Sequence, residues 1–256
     1  MQLGLVTYQW GAAWDLPTII KNCEATGFRG VELRSTHKHG VEPTLSEAER
    51  AEVAKRFADS RVELVGLGTA CEYHSPDPAV LKKNIEETKA FIRLCHDVGG
   101  GGVKVRPNGL PKEVPVEKTI AQIGAALDEL ADYGEGHGVQ IRLEIHGRGT
   151  ADIPIVKRIM DATPNSNAVL CWNCNSEDLQ GPGLKANFNL LKDRLGRTIH
   201  VHDLISEYPW PEFFGLLKGI EYEGWTLLEE GAITSDPIRV MKYYRLLWEA
   251  MTGEGG

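Results

Sequence analysis

The sequence predicts an α/β fold, a single (β/α)8 barrel over residues 1–256. Three observations carry this. Short β-branched runs alternate with longer amphipathic stretches, giving eight strand–helix units at a period of roughly 30 residues. Pro and Gly mark the joins, as in Thr26-Gly27, Asp77-Pro78, His137-Gly138 and Asp236-Pro237. Most informative, the strands of the middle and second half place ionisable residues at every second position. Side chains of a strand alternate between its faces. One face therefore packs on helices and the other turns charge toward a shared interior. Charges gathered in an interior are paired, bind a metal or do chemistry. An open doubly wound sheet competes, but the inward polar residues come from most of the strands, including the first half and the last.

The elements follow in order. Strand one is read near 2–8 and its helix near 16–26, closed at Gly27. Strand two, near 29–34, sets Val31 and Leu33 against Glu32 and Arg34, and a helix near 46–60 follows. Strand three lies near 62–67. The helix near 78–97 starts with Asp77 as N-cap and Pro78 in the first turn. The run 99–102 precedes a strand instead of opening a helix, so it reads as a tight turn and not a phosphate cradle. Strand four, near 102–106, alternates Val103 and Val105 with Lys104 and Arg106, before a helix near 115–135. Strand five, near 139–146, sets Ile141, Leu143 and Ile145 against Arg142, Glu144 and His146, before a helix near 152–161. Strand six near 168–173 leads to a helix near 185–194. Strand seven, near 198–203, alternates Ile199 and Val201 with His200 and His202, and its helix is near 209–218. Strand eight, near 225–230, carries Leu227-Leu228-Glu229, and Asp236-Pro237 opens the last helix, near 236–250. The tail 252–256 is expected to fray.

Composition narrows the function. A hydrophobic fraction of 42% fills a sizeable core. No apolar run approaches the roughly 18 residues of a membrane span, and the start at Met1 shows no signal segment. The net charge of −8 argues against a nucleic-acid binder. Five scattered cysteines, an odd number and read as forming no Cys-x-x-Cys pair, indicate neither a disulfide frame nor a thiolate zinc site, so a reduced, cytoplasmic setting is expected. The oligomeric state stays open, a homo-oligomer included.

Barrel active sites lie at the C-terminal ends of the strands. Glu144, His146, Asn173, His200, His202 and Glu229 all fall there. Glu144, Asn173, His200 and Glu229 come from four consecutive strands at similar height, the convergence a divalent cation needs. Mixed carboxylate and imidazole donors suit Mn²⁺, Co²⁺, Mg²⁺ or Zn²⁺.

At these residues the chain resembles the xylose-isomerase-like TIM barrels, which include sugar phosphate isomerases and epimerases, inosose dehydratases and apurinic-site endonucleases. The resemblance rests on the stretches 27–33, 143–146, 199–203 and 222–229, the last two pairing a His-x-x-Asp strand with a Gly-x-x-x-x-Glu strand. It implies a metal held by Glu144, Asn173, His200 and Glu229, with Glu144 and Glu229 as the acid/base pair. The family has Asp where this chain has Asn173, and a frequent His where it has Ser176, so a weaker hold on the metal is expected. The endonuclease branch, with three metals and DNA as substrate, does not fit an acidic chain with eight His.

The resemblance implies a metal-dependent isomerase or epimerase on a small sugar or keto-sugar. It would abstract a proton next to a carbonyl through an enediolate. A lyase or dehydratase of a keto-sugar or inosose uses the same site, and a metal-free carbohydrate-binding barrel is the alternative from another class. Several residues carry two readings. Glu144 and Glu229 pair with Arg142, Lys104 or Arg106 if they are structural. His200 caps a carbonyl if His202 is the ligand. His146 contacts substrate or a loop. Lys104 and Arg106 bind substrate or balance the carboxylates. Glu32 and Arg34 read as a structural pair in the lower barrel. Tyr8, Trp10, Trp14, Tyr73, Trp172 and Trp210 are candidates for stacking on a sugar, with Tyr8 and Trp172 taken as substrate contacts. Trp225 is read as structural. Asp203 orients a ligand His or caps the next segment.

Overall fold

The computed structural model describes residues 1–232 and 234–254. Among these, eight parallel strands pair in chain order and close on themselves. They are β1 (Gln2–Val6), β2 (Gly30–Arg34), β3 (Glu63–Glu72), β4 (Gly102–Arg106), β5 (Gln140–Glu144), β6 (Ala168–Asn173), β7 (Leu195–Val201) and β8 (Trp225–Leu228). The seam is the β1–β8 pair, in register from Gln2 opposite Trp225 to Leu5 opposite Leu228. The helices that follow each strand are α1 (Leu16–Thr26), α2 (Glu47–Ala58), α3 (Pro78–Asp97), α4 (Val116–Glu135), α5 (Ile153–Asp161), α6 (Leu184–Leu191), α7 (Trp210–Gly219) and α8 (Pro237–Thr252).

The helix starts are chemical. Asp77 accepts a hydrogen bond from the Ala79 amide at 2.8 Å and Asp236 one from Arg239 at 3.1 Å. Each caps a free N–H of a helix that begins with Pro, as the two Asp-Pro joins predict. Ser46 and Glu49 form a reciprocal capping box on α2. At the other end of α3, Gly99 at φ 81° turns the chain into β4, the tight turn expected there.

Two apolar layers hold the wall. Ile141, Leu143, Ile199, Val201 and Leu228 are at most 1% exposed and face the helices. Each such side chain contributes about 1.5–3 kcal/mol on burial. A slip of one residue would turn them inward and the charges outward, so the apolar face fixes which residues point into the barrel. Inside, Val6, Val65, Trp225 and Leu227 form a small apolar plug. Trp225 is thus structural, as expected. The buried Arg142 donates from Nη1 to the Val65 carbonyl at 3.0 Å and from Nε to Gln140 at 3.3 Å. It lies over Gly102, where a Cβ would stand 2.4 Å from Nε, so that position takes no side chain.

Several boundaries move. β3 runs on to Glu72, whereas β1 stops at Val6, β5 at Glu144 and β8 at Leu228. Tyr8, His146 and Glu229 therefore stand on the first residues of loops. The tail is ordered further than expected. Thr252 is 2% exposed within α8, and Glu254 pairs with the Met1 amino group at 3.0 Å. The remainder of the fraying expectation, residues 255–256, lies outside the described residues. No described helix is long and apolar enough to cross a membrane.

Candidate active site

The inward residues of β5 to β8 meet at the C-terminal mouth. His200 Nδ1 lies 3.5 Å from Glu144 Oε1 and 3.4 Å from Glu229 Oε2. One donor atom from each of the three residues falls within 4.8 Å of the other two. The second ring nitrogen, Nε2, faces Glu32 Oε1 at 3.3 Å. Glu144 is gripped from two further sides. Lys104 Nζ stands 2.7 Å from Oε2, and the Asn173 amide donates to Oε1 at 3.0 Å. Asn173 Oδ1 is 2.8 Å from His202 Nε2, and His202 Nδ1 is 2.9 Å from the Glu229 carbonyl. Asn173 is thereby held between Glu144 and His202, at the edge of the cluster.

Electrostatics follows from these contacts. Burial alone would raise the Glu144 carboxyl, but Lys104 and His200 hold it well below the usual carboxylate range. Glu229 is lowered against its own burial by His200. Burial pushes the Lys104 ammonium down, and Glu144 with Glu32 more than restores it. Burial also opposes charge on His200, yet Cys171, Glu32 and Glu229 raise its imidazole well above the ordinary value. The pocket thus draws in positive charge.

The residues fit a divalent cation. Neither ring nitrogen of His200 has a hydrogen-bond partner of good geometry, and both are buried. One nitrogen faces two carboxylate oxygens and the other a buried carboxylate, the arrangement by which an acid orients a ligating imidazole. Bonds of about 2.0–2.2 Å put neighbouring donors of such an ion about 3 Å apart, close to the spacing here.

Above the cluster opens a cavity of about 520 Å³ whose walls include Tyr8, Arg34, Arg106, His146, Asn175 and Glu177. This volume suits a monosaccharide. His146 Nδ1 is 2.7 Å from Asn108 Oδ1, and burial lowers its imidazole below the ordinary value. Tyr8 packs its ring under the Arg34 guanidinium, 4.6 Å from the ring centroid.

Three expectations need correction. Trp172 is not a substrate contact, because it is fully buried behind the wall, against Phe188 and Phe213, with its indole N–H donating to Asp178 at 3.0 Å. Glu32 and Arg34 do not pair. Glu32 lies under His200, while Arg34, two residues higher on the same face, reaches the cavity. Cys171 and Cys174 do have the two-residue spacing of a Cys-x-x-Cys pair, yet both are free thiols. Alternation sends Cys171 inward toward His200 and Cys174 toward Asp178 and Tyr208. The Asp203 carboxylate accepts from the Ile205 amide at 3.0 Å, closing a turn in the loop after β7, while α7 begins behind Pro209 without a side-chain cap. Among the other aromatic candidates, Trp10, Tyr73 and Trp210 are buried. Sequence reasoning missed Glu32 as the partner of His200, and it missed Asn108 and Arg148 on irregular loops and Asn175 and Glu177 at the start of a one-turn 3-10 helix, Ser176–Leu179, all near the cavity.

Comparison with known proteins places this geometry. Residues 20–244 match the family model of the xylose isomerase-like TIM barrel, and the chain belongs to that family. An inosose isomerase of Bacillus velezensis is 22% identical over 200 residues, 77% of this chain and 69% of the relative. An L-ribulose 3-epimerase of a Methylomonas species is 26% identical over 173 residues, which span 62% of this chain and 60% of the epimerase. Among solved structures, the IOLI protein with a bound zinc atom superimposes with a TM-score of 0.83 at 16% identity, covering 99% of both chains.

Proposed function

We propose that this chain is a divalent-metal-dependent isomerase or epimerase of a keto-sugar, with Glu144 and Glu229 as its acid/base pair. The observation that carries the reading is the convergence of Glu144 Oε1 and Glu229 Oε2 on His200 Nδ1, at 3.5 and 3.4 Å, on the floor of a sugar-sized cavity. The protein is an enzyme of the kind its relatives represent, an inosose isomerase and an L-ribulose 3-epimerase.

The residues divide the work unequally. His200, Glu144 and Glu229 would hold the metal, with Glu32 orienting the imidazole. When bound, the metal would supply Lewis acidity toward a carbonyl oxygen. Glu144 is fixed by Lys104 and Asn173, which lower its basicity and its freedom. Among the described residues Glu229 has only His200 within salt-bridge distance of its carboxylate and is 12% exposed, against 3% for Glu144. Glu229 is therefore the better placed base for a carbon-bound proton, and Glu144 the partner that holds or returns one. A proton taken on one face and returned on the other inverts a stereocentre, and one returned to the neighbouring carbon gives an isomer. His146 and His202 line the cavity; with His146 Nδ1 on Asn108 Oδ1, its Nε2 can accept from a substrate hydroxyl, whereas both nitrogens of His202 are taken up by Asn173 Oδ1 and the Glu229 carbonyl.

The test is proton exchange with solvent. Metal-stripped protein reloaded with Mn²⁺ should wash deuterium from D₂O into a ketose at the carbon next to the carbonyl, read by NMR. Chelation should stop the exchange and Mn²⁺ restore it. Substrate turnover with no deuterium uptake would contradict proton abstraction.

A further inference from the structure

The cavity has two unlike sides. Toward β5, β6 and β8 its charged lining is Glu144, Glu177 and Glu229 with Arg148 on the loop after β5, and toward β2 and β4 it is Arg34 and Arg106 with Lys104, which is spent on Glu144. Neither Arg34 nor Arg106 has a carboxylate within salt-bridge distance among the described residues. Lacking an acid partner is not rare here, since among the described residues only Arg50, Arg56, Arg158 and Arg245 make a salt bridge; what sets this pair apart is that both guanidiniums line the same side of the cavity. Arg106 makes one long hydrogen bond, from Nη2 to the Ala70 carbonyl at 3.4 Å, and its Nε is buried with no partner. Glu72, opposite Arg106 in the strand register, directs its carboxylate to the Asn108 side chain instead.

Arg34 is held as firmly as it is unpaired. Its backbone N–H donates to Thr7 Oγ1 at 2.8 Å, its carbonyl lies 2.8 Å from His39 Nε2, and its guanidinium rests on the Tyr8 ring. Stacking engages the flat face of the guanidinium and leaves its N–H edge free. Between the two arginines β3 contributes the small, exposed Ala70, which leaves room at this side of the cavity. Buried or half-buried N–H donors without acceptors are costly, and two guanidiniums facing one cavity repel each other. Both penalties are relieved by an oxyanion, which guanidiniums bind through paired N–H donors.

We propose that Arg34 and Arg106 bind an oxyanion carried by the substrate, a carboxylate or a phosphate, at the end remote from the carbon that faces Glu229. This rests on the reading of the site as a keto-sugar isomerase or epimerase, and it narrows the substrate class to sugar acids or sugar phosphates. A neutral ketose lacks the group that this side of the cavity is built to receive.

The experiment uses the full-length Mn²⁺-loaded protein and four probes: D-fructose, D-fructuronate, D-fructose 6-phosphate and inorganic phosphate. Binding is measured by calorimetry, and deuterium uptake from D₂O on each ketose by NMR. At least one anionic ketose should bind about tenfold or more tightly than fructose, equal to about 1.4 kcal/mol. Arg34→Gln and Arg106→Gln should each remove most of that preference, and Arg106→Lys should restore part of it. Circular dichroism and melting temperature establish that the variants fold. A preference for the phosphate ester assigns sugar phosphates, and one for the uronate assigns sugar acids. Fructose bound and exchanged as well as either anionic ketose would overturn the oxyanion site and leave the isomerase reading standing. Anion preference that the arginine variants erase, with no exchange on any ketose, would support the oxyanion site and contradict the isomerase reading. No binding of any anion, inorganic phosphate included, or a preference untouched in folded Arg34→Gln and Arg106→Gln, would overturn the proposal.

Discussion

The two halves of the barrel mouth obey opposite rules. Around the acids and imidazoles of β5 to β8, polar groups face one another, with Lys104 of the neighbouring β4 and Glu32 of β2, across the barrel, reaching into this paired cluster. Glu144 meets Lys104 and Asn173, Asn173 meets His202, and His200 stands between two carboxylates. At the upper ends of β2 and β4, two residues above Glu32 and Lys104, Arg34 and Arg106 meet no carboxylate among the described residues. The difference teaches what each half is for. Glu144, Lys104 and His200 are almost wholly buried, and charge there persists only with a partner at hand. Arg34 and Arg106 keep contact with water in the free protein, so a pairing can be left for a ligand to complete.

The comparison breaks most visibly at Lys104. Lys104→Met leaves Glu144 buried beside no ammonium, and in the metal-free protein it should cost about 3–5 kcal/mol by urea unfolding at neutral pH. Added Mn²⁺ should recover part of that loss. Arg106→Met in the unpaired half should change stability by no more than about 0.5 kcal/mol. Equal losses in the two variants would erase the distinction between the halves.

Asn173→Asp sharpens the description of the paired half. It trades the amide that donates to Glu144 for a third carboxylate, so metal-free protein should become less stable. A third negative charge beside the ion should tighten Mn²⁺ binding by about tenfold, or 1.4 kcal/mol. Titration of both apo proteins by calorimetry checks it, and equal affinities would place residue 173 outside the reach of the ion.

A smaller effect lies behind the wall of the same half. Burial raises the Asp178 carboxyl from 3.8 to about 7, although Tyr208, the Asn175 amide and Trp172 donate to it and pull the other way. The fold therefore favours the protonated acid. That contribution is complete below the unfolded value near 3.8 and fades as pH rises through about 7. Asp178→Asn should equal or exceed the wild type in melting temperature at pH 8, with the gap shrinking toward pH 4. A gap that stays constant across this range would mean that Asp178 is ionised throughout.

Much of this arrangement was legible in the sequence. Alternation in 141–146 and 199–202 turned Glu144, His146, His200 and His202 to one face, and all four reach the mouth. The same rule excludes Trp172, since a residue adjacent to an inward Asn173 must point outward. The partner of Glu32 was not legible, because β2 and β7 are brought together only by closure of the barrel. Arg34 was placed on the correct face but at the wrong height. Two residues along a strand lift a side chain by about 6.6 Å, enough to separate a buried acid from a cavity wall. Loop residues such as Asn108 and Arg148 carry no periodicity by which they might have been found.

The central claim is that the paired half performs proton transfer at carbon, with Glu229 as its freer carboxylate. The most direct measurement is the rate of deuterium uptake from D₂O into a ketose by Mn²⁺-loaded Glu229→Gln beside the wild type, with bound metal quantified in both. Loss of about 10²–10⁴-fold in exchange, at a metal content that Mn²⁺ saturation restores, is the predicted result. Exchange at the wild-type rate by the metal-loaded variant would contradict it.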